Sequence, residues 1–235
     1  MIKSIQVSPS KLSVLNDCPT CFWYAENYKC ARPRGIFPTL PGGIDRVLKI
    51  FSDKYRNGQA LPEQFKELNG TFFTDTELLR KWQNWRSGLR VKIAFARTDD
   101  GTPVDVSIYG ALDDLLVTKD GAYSPLDFKT KGSEPKTSGE EYYQTQLDAY
   151  AYLLEKHGYK TSGEAFLVYF WPAAVVDFND AGIHFDFQFK TYKLTTSIPR
   201  FEATLQRAVD VLTGPKPEPN VNCEYCTYRE FNHVR

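Results

Sequence analysis

Asp127 and Lys129 stand two residues apart in Leu126-Asp127-Phe128-Lys129-Thr130. On a strand, side chains alternate, so this carboxylate and ammonium share one face while Phe128 points the opposite way, into a core. Such a pair suits a divalent-metal site. Carboxylate oxygens bind Mg²⁺ or Mn²⁺, ions that keep several waters and also take substrate phosphate oxygens. The lysine can orient a water and offset charge that builds up in a transition state. Upstream, Asp113 and Asp114 follow Gly110-Ala111-Leu112, and Asp113 is placed to supply a second carboxylate from the preceding strand or its bend. Downstream, Gln146 and Tyr150 lie four apart, which puts them on one face of a helix. An Asp-x-Lys pair taken alone is more often solvated on a hairpin. The aspartate before it and the Gln/Tyr helix after it shift the balance toward chemistry.

A second set of residues could bind metal. The chain has five cysteines, and four of them form Cys18-x-x-Cys21 and Cys223-x-x-Cys226. Paired spacings of this kind point to metal or redox use rather than to disulfides. Two pairs give four thiolates, the number needed by a 4Fe–4S cluster, a 2Fe–2S cluster or a structural Zn²⁺. Spacing does not choose among them, because the pairs lie at opposite ends of the chain. Buried thiols without metal are the plainer alternative.

Gly-x-Leu-Asp, then Asp-Phe-Lys-Thr, then Gln-x-x-x-Tyr resembles the PD-(D/E)XK nuclease superfamily. The order is most similar to its RecB-like branch, which includes the CRISPR-associated iron–sulfur exonucleases. The stretch SPSKLSVLNDCPTCFWY resembles the opening helix of that branch. The resemblance implies that Asp113 and Asp127 are metal ligands, with Asp113 chosen over Asp114 because it directly follows Gly110-Ala111-Leu112. It implies that Lys129 is the catalytic lysine, and that Gln146 and Tyr150 support the site and the bound strand. It assigns a metal-ligating position to Asp45, where the family usually has histidine; an aspartate can still ligate Mg²⁺ or Mn²⁺. An aspartate favoured by a helix N-terminus is the alternative reading of Asp45.

The same branch ties an N-terminal cysteine to a C-terminal Cys-x-x-Cys-x-Tyr segment, matched by Cys18, Cys223, Cys226 and Tyr228. The family's further cysteine is Asn232 here, and Cys21, one helical turn from Cys18, takes its place. Cys30 is a reserve ligand or a free thiol. The cofactors implied are Mg²⁺ or Mn²⁺ and an iron–sulfur cluster, 4Fe–4S favoured, with 2Fe–2S or Zn²⁺ as alternatives. The activity implied is hydrolysis of DNA phosphodiester bonds, as an exonuclease on single strands or duplex ends, in repair, recombination or CRISPR spacer acquisition. Other DNA-processing or CRISPR adaptation proteins are the implied partners. The rival reading is a weak or inactive nucleic-acid-binding subunit of the same fold, which the aspartate at position 45 would suit.

The composition limits these readings. The chain has 235 residues, of which 42% are hydrophobic and 14% aromatic, enough for a sizeable core. Lys plus Arg equals Asp plus Glu at 29 each, so nucleic acid must be met by a local patch or through metal and phosphate rather than by overall charge. No apolar run approaches a membrane span, and the N-terminus lacks a signal-peptide core, so a cytoplasmic protein without a membrane partner is expected.

The fold class expected is α/β: a restriction-endonuclease-like core with a mixed central sheet flanked by helices, an N-terminal helical part, and the cysteines joining the termini. One nuclease domain over 1–235 is expected, with a mainly helical part at 1–90, the core at 91–195 and a helix plus Cys-x-x-Cys tail at 196–235. Helical spacing predicts helices over 7–24 with a helix end or bend at Pro19, over 43–55, 76–87, 140–157 and 197–212. Trp82 and Trp85 are expected in the core. Residues 31–43, with three prolines and three glycines, read as loop in which Arg32 and Arg34 could meet phosphates or solvent. Residues 57–75 read as connecting structure. Strands are expected over 91–97, over 104–118 as one bent strand or two, over 123–130, over 164–171 closed by Pro172, and over 183–194. A turn is expected at Asp99-Asp100-Gly101 and a mobile polar loop over 131–139.

Overall fold

A computed structural model describes residues 4–33, 35–36, 38–57, 60–65, 68, 70–97 and 100–232. Arg34 and Asp99, singled out above, lie outside the described residues.

The helical N-terminal part begins with strand β1 (Ser4–Val7), which periodicity over 7–24 does not reveal. Its four residues are too few to stand out, and their partner is distant in sequence. β1 pairs in parallel with β4 (Pro103–Gly110). Ser8 then caps α1 (Pro9–Asp17) by accepting from the backbone N–H of Lys11, with Pro9 at the first helical position. Cys18 is extended and ends α1, and its sulfur caps α2 (Pro19–Asn27). Of the end or bend expected at Pro19, the structure has the end: α1 stops at Asp17 and a new helix starts at Pro19.

The helix expected over 43–55 starts earlier, as α3 (Thr39–Asp53). Residues 39–43, read as loop, are helical. Pro41 lies in the first turn, where backbone N–H groups have no helical partner to lose. This moves Asp45 into the second turn and removes the helix-N-terminus reading of it. A single 3₁₀ turn at Glu63–Phe65 and the short strand β2 (Thr71–Phe72) follow in the stretch read as connecting. α4 (Thr76–Gln83) ends four residues before the expected boundary, so that Trp82 is buried but Trp85 is 70% exposed, against expectation.

The remaining elements are β3 (Leu89–Ala96), β4, β5 (Asp114–Val117), β6 (Tyr123–Thr130), α5 (Glu140–Lys156), β7 (Glu164–Asn179), β8 (Gly182–Thr195), α6 (Ile198–Thr213) and α7 (Glu224–Asn232). They form two sheets, β1-β4-β3 and β2-β5-β6-β7-β8. Both are mixed: β1–β4 and β6–β7 are parallel, the other pairs antiparallel. The segment 104–118 is therefore two strands, and the bend at Ala111–Asp113 carries the chain from one sheet to the other.

β7 does not stop at Pro172 but runs to Asn179. Beyond Phe170 it pairs only with β8, and register shifts flank Pro172 and Val175. A proline is tolerated there because its missing N–H faces an open edge.

Two cores hold these layers. The larger packs α1, α4, α5 and α6 against both sheets, with Ile108, Leu115, Leu147, Leu167 and Phe201 fully buried. The smaller lies on the other face of the five-stranded sheet and contains Phe72, Leu116, Leu126, Phe128, Phe166 and Phe170, covered by Leu48 and Phe51 of α3. Phe128 thus points away from Asp127 and Lys129, as alternation requires. Two glycines set the position of α5. Gly139 starts it in the left-handed region at φ 68°, where a side chain would also collide with the Tyr169 hydroxyl. At Gly110 a Cβ would lie 3.0 Å from Leu153 and 3.1 Å from Tyr150, so a larger residue would press these two α5 side chains back by a few tenths of an ångström.

Candidate active site and cysteine metal centre

β6, α5 and the β4–β5 bend bring Asp113, Asp127, Lys129, Gln146 and Tyr150 together. Asp127 is 1% exposed on β6. Its Oδ1 accepts a hydrogen bond from Gln146 Nε2 at 2.9 Å, and the same nitrogen donates to Tyr150 Oη at 2.7 Å. Asp127 Oδ2 pairs with the Lys129 ammonium but accepts no hydrogen bond of regular geometry. The ammonium also donates to Gln146 Oε1 at 3.3 Å and stands 4.6 Å above the Tyr143 ring. Asp113 Oδ2 accepts from the backbone N–H of Phe128 at 3.0 Å, which ties the bend to β6, and its carbonyl accepts from Gln83 at 2.7 Å.

Asp114 faces the other way. It is fully buried and meets the equally buried Arg56 guanidinium fork to fork, at 2.8 and 2.6 Å. Of the two adjacent aspartates, the one after Gly110-Ala111-Leu112 reaches the β6 pair and its neighbour anchors the bend.

Asp45 is hydrogen-bonded to this group through Lys49, one helical turn on. Lys49 Nζ donates to Asp45 Oδ2 and to Asp113 Oδ1, both at 2.8 Å. The sequence reading missed Lys49, although the Asp45/Lys49 spacing of four marks a helix pair.

Charge burial shapes the titration of these groups. Burial, with Asp113 adding to it and Lys129 opposing it, pushes the Asp127 carboxyl up to about 7. Burial works to lower Lys129, but the Asp127 carboxylate outweighs it and holds the ammonium above its ordinary value. Asp45 is raised by burial and by Asp113. A buried carboxylate with one oxygen free of hydrogen bonds and a second carboxylate beside it fit one Mg²⁺ or Mn²⁺, which takes one or two carboxylates plus water and phosphate. Three carboxylates around one ion fit less well. Among the described residues, Asp45, Asp113 and Asp127 do not bring their oxygens together as a ready metal group.

A groove of about 540 Å³ runs beside this site and reaches its Gln146, Tyr150 and Tyr143, while Asp113, Asp127 and Lys129 are not among its lining residues. Gln146 and Tyr150 line it together with Trp85, Tyr109, Tyr142 and the α1 cap Ser8. Arg86 and Arg90 lie over the Trp85 and Tyr109 rings at 4.9 and 5.4 Å.

The cysteines converge elsewhere. The Sγ atoms of Cys18, Cys21, Cys223 and Cys226 all lie within 4.8 Å of one another, and all four residues are buried. This group can hold a metal ion, and it links the α1–α2 junction to α7, a helix in the stretch expected only as a Cys-x-x-Cys tail. Cys30 is exposed and apart from it. Arg32, read as a phosphate or solvent residue, instead pairs with Asp17 at 3.1 Å and reaches Cys223 Sγ at 3.8 Å. Against its burial, Cys223 is drawn down to about 7 by the backbone N–H groups of Cys226 and Tyr225 and by Cys21. Burial lifts Cys226 to about 12.

A sequence model described as the PD-(D/E)XK nuclease superfamily matches residues 6–231. The chain belongs to the PD-(D/E)XK nuclease superfamily. The mixed β-structure flanked by helices, with the four cysteines joining N- and C-terminal regions, is consistent with that core. No curated protein matches the chain. The crystal structure of SSO0001 overlays with a TM-score of 0.45 at 13% identity, over 96% of this chain and 84% of that one, a likeness that adds no weight. Among the described residues, no helix is long and apolar enough to cross a membrane.

Proposed function

We propose that this superfamily member is a Mg²⁺- or Mn²⁺-dependent deoxyribonuclease of the RecB-like kind, acting on single strands or duplex ends. The observation that carries the reading is the meeting of Asp127, Lys129 and Gln146 on one face of β6 with Asp113 alongside, next to an aromatic groove that Gln146 also lines. Asp113 and Asp127 are the ligands in this reading, and Asp45 acts through Lys49. A divalent ion held there supplies charge neutralisation at the phosphate and acidifies water. The protein's own groups do the rest. Gln146 fixes one oxygen of Asp127, and the other, which pairs with the Lys129 ammonium and accepts no regular hydrogen bond, is the one an ion would take. Lys129, held by Asp127, Gln146 and Tyr143, presents a proton donor to a phosphate oxygen and orients the attacking water. Tyr150, whose own proton is held firmly by burial, keeps Gln146 in place.

The groove supports single strands. Trp85 and Tyr142 are 70% and 66% exposed at its rim, and unpaired bases can stack on such rings. The shared order of motifs supports the RecB-like branch, with repair, recombination or CRISPR spacer acquisition as its setting.

One observation favours a second reading. Lys49 already pairs with both Asp45 and Asp113, and a non-cleaving, nucleic-acid-binding form could use its ammonium in place of a cation. Incubation of end-labelled single-stranded and duplex DNA with the protein and Mn²⁺ separates the two. Metal-dependent fragments support the nuclease; tight binding without fragments at any Mn²⁺ concentration supports the binding form.

A further inference from the structure

We infer that the four cysteines hold a single tetrahedral zinc ion and not an iron–sulfur cluster. The inference is independent of the nuclease reading. It rests on the size of the sulfur cage. Cys18 and Cys226 sulfurs are 3.5 Å apart, Cys21 and Cys223 3.6 Å, and Cys21 and Cys226 3.9 Å. All four fall within 4.8 Å of one another.

Four thiolates around one zinc, with bonds of about 2.3 Å, form a tetrahedron with edges of about 3.8 Å. A 4Fe–4S cube places each cysteine sulfur outside its own iron at a separate corner, which spreads the sulfurs to roughly 6 Å. A 2Fe–2S rhomb leaves two close pairs separated by a comparable gap. Here the short edges run without a gap from Cys18 to Cys226 to Cys21 to Cys223. The cage has room for one ion and none for the bridging sulfides.

Its surroundings suit that ion. The Cys18 sulfur accepts the backbone N–H of Cys21 at 3.5 Å, and backbone N–H groups of Tyr225 and Cys226 turn toward Cys223. Such bonds stabilise thiolates, and Arg32 beside Cys223 offsets part of the excess negative charge that four thiolates leave on a divalent ion. The ion bridges cysteines 208 residues apart and pins the nine-residue α7, too short to be stable alone, to the α1–α2 junction. Zinc has no redox chemistry of its own, so any response of this joint to oxidants would come from its thiolates.

The test is metal and acid-labile sulfide analysis of the full chain, purified without oxygen from cells supplied with both iron and zinc. The expected result is a colourless protein with about one zinc per chain and no sulfide. Cobalt exchanged into it should give the visible bands of a tetrahedral thiolate site. Cys30→Ser should keep the full zinc content, and Cys226→Ser should lose most of it. A brown protein carrying iron and sulfide would overturn the inference, and so would a folded wild-type chain without bound metal. Both readouts are taken on the wild type, so they decide even if Cys226→Ser does not fold. No DNA is cleaved in the test, so a failed nuclease reading would not be mistaken for a failed zinc site.

Discussion

Asp127 is the residue on which the proposed chemistry turns, and its titration gives a prediction. In the unfolded chain its carboxyl has the ordinary value near 4; in the folded chain burial lifts it to about 7. Between those values the folded protein holds a proton that the unfolded one lacks. Stability from this group therefore falls as the pH rises from about 4 to about 7 and then levels off. Urea unfolding of the metal-free protein at about pH 5 and about pH 8 should show wild type losing on the order of a few kcal/mol relative to Asp127→Asn. Mn²⁺ should restore the loss, since an ion bound to the folded state stabilises it. A gap that stays constant with pH would contradict the buried, proton-holding carboxyl. Burial raises the Asp114 carboxyl as well, but here the Arg56 guanidinium opposes the rise. Arg56→Met leaves Asp114 buried without its countercharge and should lower stability by about 3–5 kcal/mol in the same urea assay. A change under about 1 kcal/mol would mean that the pair is not closed to water.

At the scale of elements, β6 and α5 place the chemistry, and the groove beside them should read single strands. Trp85→Ala and Tyr142→Ala should each weaken binding of an oligothymidine to a non-cleaving Lys129→Ala background by about 1–3 kcal/mol, roughly 5- to 150-fold. Fluorescence anisotropy would measure it, and unchanged affinity in both would remove the groove from the account. Much of this arrangement was legible in the sequence. Alternation placed Asp127 and Lys129 opposite Phe128, and helical spacing placed Gln146 with Tyr150. Both signals are local. What was missed depends on distant partners or on local exceptions. β1 is a strand only because β4 lies beside it, and residues 104–118 divide between two sheets at a bend that Arg56, from α3's end, holds through Asp114. α3 begins inside a proline–glycine stretch because first-turn positions tolerate proline. Trp85 leaves the core because α4 stops at Gln83.

Across the whole molecule, the cysteine site ties the two ends together while the proposed nuclease site lies in the middle of the chain. The two should therefore respond separately to loss of the thiolate-bound metal. Hydrogen exchange after removal of that metal should speed up strongly in α7 and at the α1–α2 junction, and much less in β6 and α5. Uniform acceleration would show that the staple supports the whole fold rather than its ends. Net charge adds nothing to substrate capture, with 29 basic and 29 acidic residues, so affinity must come from the groove and the bound ion.

The central claim is metal-dependent cleavage assisted by Lys129. Its most direct test is the single-turnover rate on end-labelled single-stranded DNA at saturating Mn²⁺, for wild type and Lys129→Ala, with DNA binding measured in parallel. The account predicts cleavage by wild type that stops without the divalent ion, and a loss of at least about 100-fold in Lys129→Ala with binding retained. Equal rates in the two proteins, or cleavage that persists without a divalent ion, would contradict it.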